Sequence, residues 1–382
     1  MPWQPRAPMD IKREFIDLAS QAGCNRRELC RRFGISPKAG YALLRRHAQE
    51  GPAACEPRSR RPRTMPTRTP TSMEGLIVAL RATHPQWGGR KIARRLRDLG
   101  HDGVPPPSTI TAVLHRHGLI APEVSAAAEP WRRFELPEPN ALWQIDFKGD
   151  FGMARSRCYP LTVLDDHSRF NLALAACPNV SAAAVRPHLT TVFRRYGIPV
   201  RINADNGAPW GSPRLPSHAL SALSIWLIRL GIRVSHSAPY HPQTNGKIER
   251  FHRSLKAEVL AGRSFTDLDH AQAAFERWRS VYNHERPHDA LGLQTPATRY
   301  AVSARAYPEP LPEIHYPDED TVVVVKHNGE VSFQGRKLHV SNALLKLPIA
   351  FRPDPRHDGV FNVFFCHQRF MKLDLREPTD GS

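Results

Sequence analysis

The chain has 382 residues, 54 of them Lys or Arg against 36 Asp or Glu, which gives a formal net charge of +18. An excess of positive charge this large indicates a polyanionic partner, most simply nucleic acid. No signal peptide and no apolar run of about 18 residues occurs, which argues against secretion and membrane insertion. The six Cys residues are scattered without zinc-finger spacing, so we expect reduced thiols in a cytosolic protein.

Residues 1–50 are predicted to form a first helix-turn-helix domain. Apolar residues recur at helical spacing over 11–19, a second helix is expected at about 26–33, and the turn follows at Gly34. Ser36 can cap the third helix, and Pro37 suits its first position. This third helix is the predicted reader of a DNA groove, with candidate contacts at Lys38, Arg45 and Arg46. A small helical bundle that touches no DNA is the alternative.

Two linkers are predicted from composition. Residues 51–72 are rich in Pro and Arg, so we expect an extended segment that follows DNA phosphates through Arg58, Arg60 and Arg61. A merely solvated spacer fits the same composition. Residues 120–138 are rich in Ala, Pro and Glu and are the second predicted linker.

Between the two linkers, residues 73–119 repeat the helical pattern and predict a second helix-turn-helix domain. Ser72 and Ser108 are the expected N-caps of its first and third helices. Its middle helix, at about 90–99, is rich in Arg. Two such domains joined by a basic linker suit a long, specific DNA site better than one.

From residue 139 the pattern changes to α/β, and residues 139–300 are predicted to form a catalytic domain with a mixed sheet and helices on both faces. The predicted strands are 142–149, 158–165, 169–176, 199–204 and 231–236, and the predicted helices are 181–196, 217–230, 244–260 and 266–284. Residues 301–376 contain five short β runs, with a hairpin signal at Asn328-Gly329, and predict a small C-terminal β-barrel.

One strand carries an unexpected carboxylate. In the sequence WQIDFKG, Trp143, Ile145 and Phe147 alternate with Gln144, Asp146 and Lys148, which is the period of a half-buried strand. Strands disfavour Asp, so we hypothesise that Asp146 is a metal ligand. Gln144 and Lys148 share its face, and we expect them near DNA rather than in the core.

Two further carboxylates are candidates to join Asp146. Asp205 follows a predicted strand, at the carboxyl end where open α/β sheets bind ligands, although an ordinary Asp-Asn-Gly turn is the alternative. Glu249 shares a helix face with Arg253 and Lys256, and a solvated ion pair is the alternative. Together the three could hold Mg²⁺, a hard ion that prefers carboxylate oxygens, and Lys256 could hold a phosphate. Two ions about 3.5–4 Å apart can drive phosphoryl transfer.

Four linked motifs, WQIDFKG, LTVLDDHSRF, ADNG and HPQTNGKIERFHRSLKAE, resemble the catalytic core of bacterial insertion-sequence transposases in the retroviral-integrase superfamily. YNHERPHDALGLQTPATRY resembles the segment that commonly follows this core, and HPQWGGRKIARRL resembles the second helix-turn-helix domain of the same proteins. The resemblance implies a ribonuclease-H-like fold with a DDE triad of Asp146, Asp205 and Glu249. It implies two Mg²⁺ ions per site, with Mn²⁺ as a substitute.

The resemblance also implies a DNA transposase. It would bind terminal inverted repeats, cut at the transposon ends and join the freed 3′-OH to target DNA. It would act as a homodimer or higher homo-oligomer in the bacterial cytoplasm, near the nucleoid. Candidate contacts to the DNA end are His241, Gln243, Asn245, Lys247, Arg253 and Lys256. A DNA-binding regulator with an inactive core and a structure-specific nuclease of the same fold are the alternatives.

Two departures and one competing pair accompany this resemblance. The 43 residues between Asp205 and Glu249 exceed the spacing in many relatives, and the surplus is expected in a loop at 210–218. The N-terminus lacks the zinc module of retroviral integrases. Asp165 and Asp166 could also be metal ligands, but we interpret Asp166 as part of a structural turn in which it bonds the backbone or Arg169.

Overall fold

The computed structural model describes residues 8–57, 68–120, 136–211, 220–236 and 246–376. Residues 1–68 and 69–382 form two compact units. The first unit contains three helices, as predicted: α1 (Pro8–Ala19), α2 (Arg26–Arg32) and α3 (Pro37–Glu50). Ser36 caps α3 by accepting a hydrogen bond from the Ala39 amide, and Pro37 lies in the first turn, which confirms both predictions.

The first module extends beyond its predicted end at residue 50. A 3-10 helix, Gly51–Cys55, follows α3, and Ala54 and Cys55 are buried. Cys55 packs in the same apolar cluster as Phe15 and Leu29. The first residues assigned to the linker therefore belong to the module, because their apolar side chains complete its core.

The second module begins the second unit and also has three helices: α4 (Thr71–Thr83), α5 (Gly89–Asp98) and α6 (Pro107–Arg116). The predicted caps are wrong. Both helices start before the serines, with Pro70 and Pro106 at the N-cap and no side-chain capping bond. Helices α5 and α6 approach closely at Gly89, where an added Cβ would lie 2.4 Å from the carbonyl oxygen of Pro107.

The catalytic domain contains a six-stranded mixed sheet in the path β2-β3-β1-β5-β6, with β4 paired to β3. The strands are β1 (Trp143–Phe147), β2 (Phe151–Gly152), β3 (Arg157–Asp165), β4 (Asn171–Cys177), β5 (Arg201–Ala204) and β6 (Arg233–His236). Strand β3 is antiparallel to β1 and β4, whereas β1, β5 and β6 are parallel. The short strand β2 was not predicted from the sequence.

Helices cover both faces of this sheet, which confirms the predicted architecture. They are α7 (Ala182–Tyr196), α8 (Ala222–Arg229), α9 (Gly246–Leu255) and α10 (Leu268–His284). Trp143 and Ile145 pack with α7 and α8 in one cluster. On the opposite face, Leu164 and Leu174 pack with residues of α9 and α10 in a second cluster. Each face of the sheet therefore has its own apolar core.

The second helical module contacts the catalytic domain through α5 and α10. Val281 of α10 packs against the apolar cluster of the module. The guanidinium of Arg95 lies 2.6 Å from Glu285, and that of Arg90 lies 3.2 Å from Asp289. Basic side chains of the Arg-rich helix are thus paired within the chain.

The C-terminal region is all-β, as predicted, but the predicted barrel is not confirmed because its sheets are open. Four strands form one sheet in the order β12-β11-β10-β7, and β8 pairs only with β9 among the described strands. They are β7 (Thr321–Val324), β8 (Glu330–Phe333), β9 (Arg336–His339), β10 (Pro348–Pro353), β11 (Val360–Phe365) and β12 (Gln368–Asp374). The sequence prediction missed β10.

This region packs onto the catalytic domain, and one contact involves an edge strand. The side-chain amide of Gln368 donates to the carbonyl oxygen of Val234 in β6 at 2.8 Å. Its side-chain oxygen accepts from the Val234 amide at 3.1 Å. Nearby, the Ser341 hydroxyl donates to the carbonyl oxygen of Leu220. Apolar residues of both regions belong to one cluster.

Candidate active site

Asp146 lies in β1, on the face opposite Trp143 and Ile145, and is paired across the strands with Thr162 of β3. Burial and the charge of Asp205 raise the pKa of Asp146 to about 7. A backbone hydrogen bond from Phe147 opposes this rise, and the charge of Glu249 makes a smaller contribution to it. Two carboxylates from distant segments are therefore close enough to disfavour ionisation of Asp146.

Asp205 follows the last residue of β5. Its carboxylate accepts a hydrogen bond from the Gly207 amide at 3.1 Å, and its carbonyl oxygen lies 2.9 Å from Nδ1 of His236. Gly207 allows this turn, because an added Cβ would lie 3.0 Å from the Asp205 carboxylate. Burial raises the pKa of Asp205, against the hydrogen bond from Gly207 and the charge of His236.

Glu249 lies in the first turn of α9 and is exposed. The buried side chains of Phe251 and Leu255 pack with residues of the sheet, and Ile248 is also buried. The predicted single helix at 244–260 needs correction, because α9 gives way at Lys256 to a π-helical segment, Lys256–Leu260. This wider helix changes the angular spacing of the side chains after Leu255.

The π-helical segment is tied to α10 by Glu258. One carboxylate oxygen of Glu258 accepts from the indole nitrogen of Trp278 at 2.7 Å, and the other pairs with the guanidinium of the buried Arg286. Arg286 also reaches the hydroxyl of Ser254 in α9. These bonds give the RPH part of the sequence motif a role in holding α9.

The three carboxylates are chemically suited to a hard divalent cation, because all donors are oxygens and their mutual repulsion disfavours full ionisation without one. Within the described ranges, no three His, Cys, Asp or Glu side chains are arranged closely enough to hold a metal ion. The charges of Asp205 and Glu249 thus act on Asp146, although the three side chains do not form one cluster among the described residues.

Asp165 and Asp166 are engaged in hydrogen bonds that fix the segment before β1. Asp165 accepts from the Asn140 amide at 2.7 Å and from both the amide and hydroxyl of Ser168. Asp166 accepts from the Leu136 amide, from Gln144 and from Lys247; the Lys247 Nζ lies 2.5 Å from it. Both acids are buried and satisfied, which supports the structural interpretation of this turn.

Gln144 contradicts its predicted position near DNA. Its side chain is 2% exposed and donates to Asp166 at 2.9 Å. Strand alternation places Gln144 on the same face of β1 as Asp146. Gln144 is nevertheless buried, because the segment around Asp166 covers it. Lys148, by contrast, is only partly buried.

The proposed DNA contacts lie in several environments. Lys38 and Arg45 are exposed on α3, as are Arg253 and Lys256 at the end of α9. Arg46 instead pairs with Glu50 and donates to the backbone of Glu56, and Lys247 is bound to Asp166. The following candidates lie outside the described residues: Arg58, Arg60, Arg61, His241, Gln243 and Asn245.

His252 was missed by the sequence prediction. Its Nδ1 lies 3.9 Å from a carboxylate oxygen of Asp146, and its Nε2 lies 3.0 Å from the hydroxyl of Thr162. Burial, and next the charge of Lys148, lower the pKa of His252 to about 3. The available signal was its position three residues after Glu249, which puts both side chains on one side of a helix.

The sheet order, the strand directions and the carboxylates near β1 and β5 define a ribonuclease-H-like class of protein. Sequence profiles agree. The Integrase core domain profiles match residues 137–242 and 230–296, and the IS481 family transposase C-terminal domain profile matches 320–381. A Helix-turn-helix domain profile matches 11–63, and a Homeodomain-like domain profile matches 39–114.

Individual relatives are also insertion-element proteins. The chain is 31% identical over 168 residues to the IS407 uncharacterized 31.7 kDa protein of Burkholderia multivorans, covering 44% of this chain and 57% of that protein. It is 28% identical over 254 residues to the IS476 uncharacterized 39.2 kDa protein of Xanthomonas euvesicatoria, covering 63% and 68%. These matches confirm the resemblance of the chain to insertion-sequence transposases of the DDE and retroviral-integrase superfamily.

A chain in the cryo-EM structure of the simian T-cell lymphotropic virus intasome with the PP2A regulatory subunit B56 gamma also matches. The identity is 16%, the coverage is 71% of this chain and 91% of that chain, and the TM-score is 0.37, too low to add to the assignment. The matched segment spans 57% of the length of the IS407 protein. No helix within the described ranges is long and apolar enough to cross a membrane.

Proposed function

We propose that the chain is a DNA transposase that cleaves DNA at transposon ends and joins the 3′-OH to target DNA. The observation that carries this proposal is the electrostatic coupling of Asp146 to both Asp205 and Glu249. Asp205 lies 59 positions after Asp146 in the sequence, and Glu249 lies 44 positions after Asp205. A carboxyl group whose pKa is raised by acidic neighbours from distant parts of the chain is a feature of functional sites.

In this proposal Asp146, Asp205 and Glu249 hold two Mg²⁺ ions, or Mn²⁺ in their place. The bound ions would supply activation of the attacking oxygen and stabilisation of the leaving oxygen. Asp146 and Asp205 are held by the sheet, so their separation is set by the β1–β5 pairing. Glu249 is carried by a helix anchored through Phe251 and Leu255. The exposed Lys256 is placed to bind a DNA phosphate.

We further propose a separate role for each domain of the chain. Residues 1–57 and 73–119 recognise the terminal inverted repeats, 139–300 perform the chemistry, and 301–376 support the catalytic domain. Target DNA and a second copy of the chain complete the assembly, because two transposon ends must be joined together. Exposed Lys38 and Arg45 on α3 support DNA recognition by the first module.

The test is a joining assay with the full chain, a duplex ending in the terminal repeat of its element, a supercoiled target plasmid and Mg²⁺. Wild-type protein is expected to produce joined plasmid. Asp146→Asn and Asp205→Asn should abolish joining while terminal-repeat binding stays unchanged, since each removes a charge at constant shape. Asp318→Asn is the matched control, because Asp318 is exposed and remote in sequence from the triad.

The same assay separates the alternatives. Metal-independent binding without any cleavage or joining would identify a DNA-binding regulator. Cleavage without joined product would identify a nuclease. Full joining by Asp146→Asn would show that the carboxylate assignment is wrong even if the chain is a transposase.

A further inference from the structure

His252 lies between α9 and the sheet, over a cross-strand pair. Asp146 of β1 and Thr162 of β3 are directly opposite each other in the antiparallel register. The imidazole of His252 reaches both, at 3.9 Å from the Asp146 carboxylate and 3.0 Å from the Thr162 hydroxyl. Thr162 is fully buried and the His252 side chain is 12% exposed. One side chain therefore links the helix of Glu249 to the strand of Asp146.

The chemistry of these contacts favours one tautomer. If the Thr162 hydroxyl donates to Nε2, the ring proton is on Nδ1 and faces the carboxylate of Asp146, which attracts it when that group is ionised. In the other tautomer, Nε2–H would donate to Thr162, and the Nδ1 lone pair would face that carboxylate. The first arrangement is electrostatically attractive and the second is repulsive.

The distance from Nδ1 to Asp146 exceeds the length of a hydrogen bond. A shift of the Asp146 carboxylate toward Nδ1 would close it and would leave the contact between His252 and Thr162 in place. Hydrogen bonds from neighbouring groups orient the carboxylates and imidazoles that ligate metals. Thr162, His252 and Asp146 would form such a chain once Asp146 comes within hydrogen-bond distance of Nδ1.

We propose that His252 is a positioning residue that, held by Thr162, orients the Asp146 carboxylate for metal binding and sets α9 so that Glu249 faces it. This role rests on the proposed metal-dependent function. His252 itself contacts neither DNA nor metal in this proposal. Its contribution is to reduce the freedom of Asp146, so its loss should weaken metal binding.

The first test is independent of activity. ¹⁵N spectra of the full chain, with labelled His and no metal, report the tautomer of each ring, and the His252 signal is assigned by its disappearance in His252→Gln. We expect the Nδ1–H tautomer, and a mixture of tautomers in Thr162→Val. Thr191→Val is the control, because Thr191 is exposed on α7. A dominant Nε2–H tautomer, or no response to Thr162→Val, would overturn the inference.

The second test is the Mg²⁺ dependence of joining. His252→Ala should need about tenfold more Mg²⁺ for half-maximal joining, in line with the effect of removing a group that orients a metal ligand. His252→Gln should need less than His252→Ala, since its amide can still donate. Thr162→Val should shift the requirement in the same direction, and the double variant His252→Ala/Thr162→Val should be no worse than His252→Ala alone.

The outcomes distinguish this inference from the proposed function. If wild-type protein joins no DNA, the proposed function fails, and the tautomer spectra still decide whether His252 faces Asp146 as described. If wild-type protein is active and His252→Ala changes only the maximal rate or the melting temperature, with an unchanged Mg²⁺ requirement, the positioning role is wrong.

Discussion

The two helical modules share a pattern of three short helices but differ in how they use their basic side chains. In the first module, Lys38 and Arg45 of α3 are exposed. In the second, Arg95 of α5 is paired with Glu285, and Arg90 with Asp289, both beyond the end of α10. The first is part of a separate compact unit, whereas the second belongs to the unit that contains the catalytic domain.

This difference shows that an Arg-rich helix is not by itself a DNA contact. Arg95 and Glu285 are 190 positions apart in the sequence, so nothing near α5 reveals that Arg95 has a partner. The pairing suits a helix that holds its module against the neighbouring domain. The exposed helix of the first module suits a reader of DNA. Four measurements test this difference between the two modules.

The largest effect is expected on DNA affinity. The double variant Lys38→Ala/Arg45→Ala should weaken terminal-repeat binding about tenfold to hundredfold and reduce the salt slope by about 2, because two phosphate or base contacts are lost. Arg90→Ala/Arg95→Ala should change affinity less than about threefold. Fluorescence anisotropy at several salt concentrations measures both. Equal losses in the two variants would contradict the comparison.

The second effect concerns acid stability of the catalytic unit. Burial, and next the charges of Arg286 and Lys91, lower the pKa of His288 to about 3. An unfolded His has a pKa near 6.5, so from about pH 6.5 down to pH 3 only the unfolded chain gains this proton. The free energy of unfolding should therefore decrease as the pH is lowered. His288 alone should account for a loss of about 2 kcal/mol between pH 6.5 and pH 5.

Urea unfolding followed by tryptophan fluorescence measures this loss, since the described Trp residues lie in the second unit. His288→Phe, which keeps the ring beside Tyr282, should reduce the slope between pH 6.5 and 5. His115→Phe, at an exposed position of α6, is the control. A slope unchanged by His288→Phe would show that His288 does not carry the effect.

The third effect compares helix caps. Ser36→Ala removes the hydrogen bond to the Ala39 amide and should destabilise the first module by about 1 kcal/mol. Ser108→Ala, in the second module, should cost less than about 0.5 kcal/mol because Ser108 does not occupy the cap position. Hydrogen exchange at the first turns of α3 and α6 can report the two separately. Matching losses would disprove the assigned cap.

The smallest effect is expected for the contact between the second module and the catalytic domain. A double-mutant cycle on Arg95 and Glu285 should give a coupling of about 0.5 kcal/mol, because Glu285 is 37% exposed and solvent screens the pair. The Arg194–Glu309 pair is the control, with both side chains more than half exposed. The coupling energy of the Arg194–Glu309 pair should be smaller than that of the Arg95–Glu285 pair. A larger value would contradict the prediction.

Local patterns were sufficient for most of the fold. Alternation identified β1, and the apolar stripe of α9 put Ile248, Phe251 and Leu255 toward the sheet. The motif spacing brought Asp146, Asp205 and Glu249 into one hypothesis, and the electrostatic coupling of Asp146 supports it. These features depend on neighbours in the chain or on short motifs, which a single sequence records.

Features that depend on distant partners were not predictable. Gln144 and Asp146 lie on the same face of β1. The burial of Gln144 depends on a distant residue, Asp166, to which its side chain donates a hydrogen bond. Strand β10 begins and ends with Pro and lacks clean alternation, so its pairing with β7 and β11 left no local signal. Closure of a barrel likewise depends on pairing between distant strands, which the sequence does not display.

The contact of Gln368 with β6 has a consequence for association between molecules. Strand β6 ends the sheet, and an uncovered edge strand can recruit a strand from another chain. The primary amide of Gln368 offers one donor and one acceptor to Val234, as a neighbouring strand would. It thereby terminates the sheet without extending it. A side chain of the C-terminal region thus occupies the backbone groups of Val234 that a strand from another molecule would need for pairing.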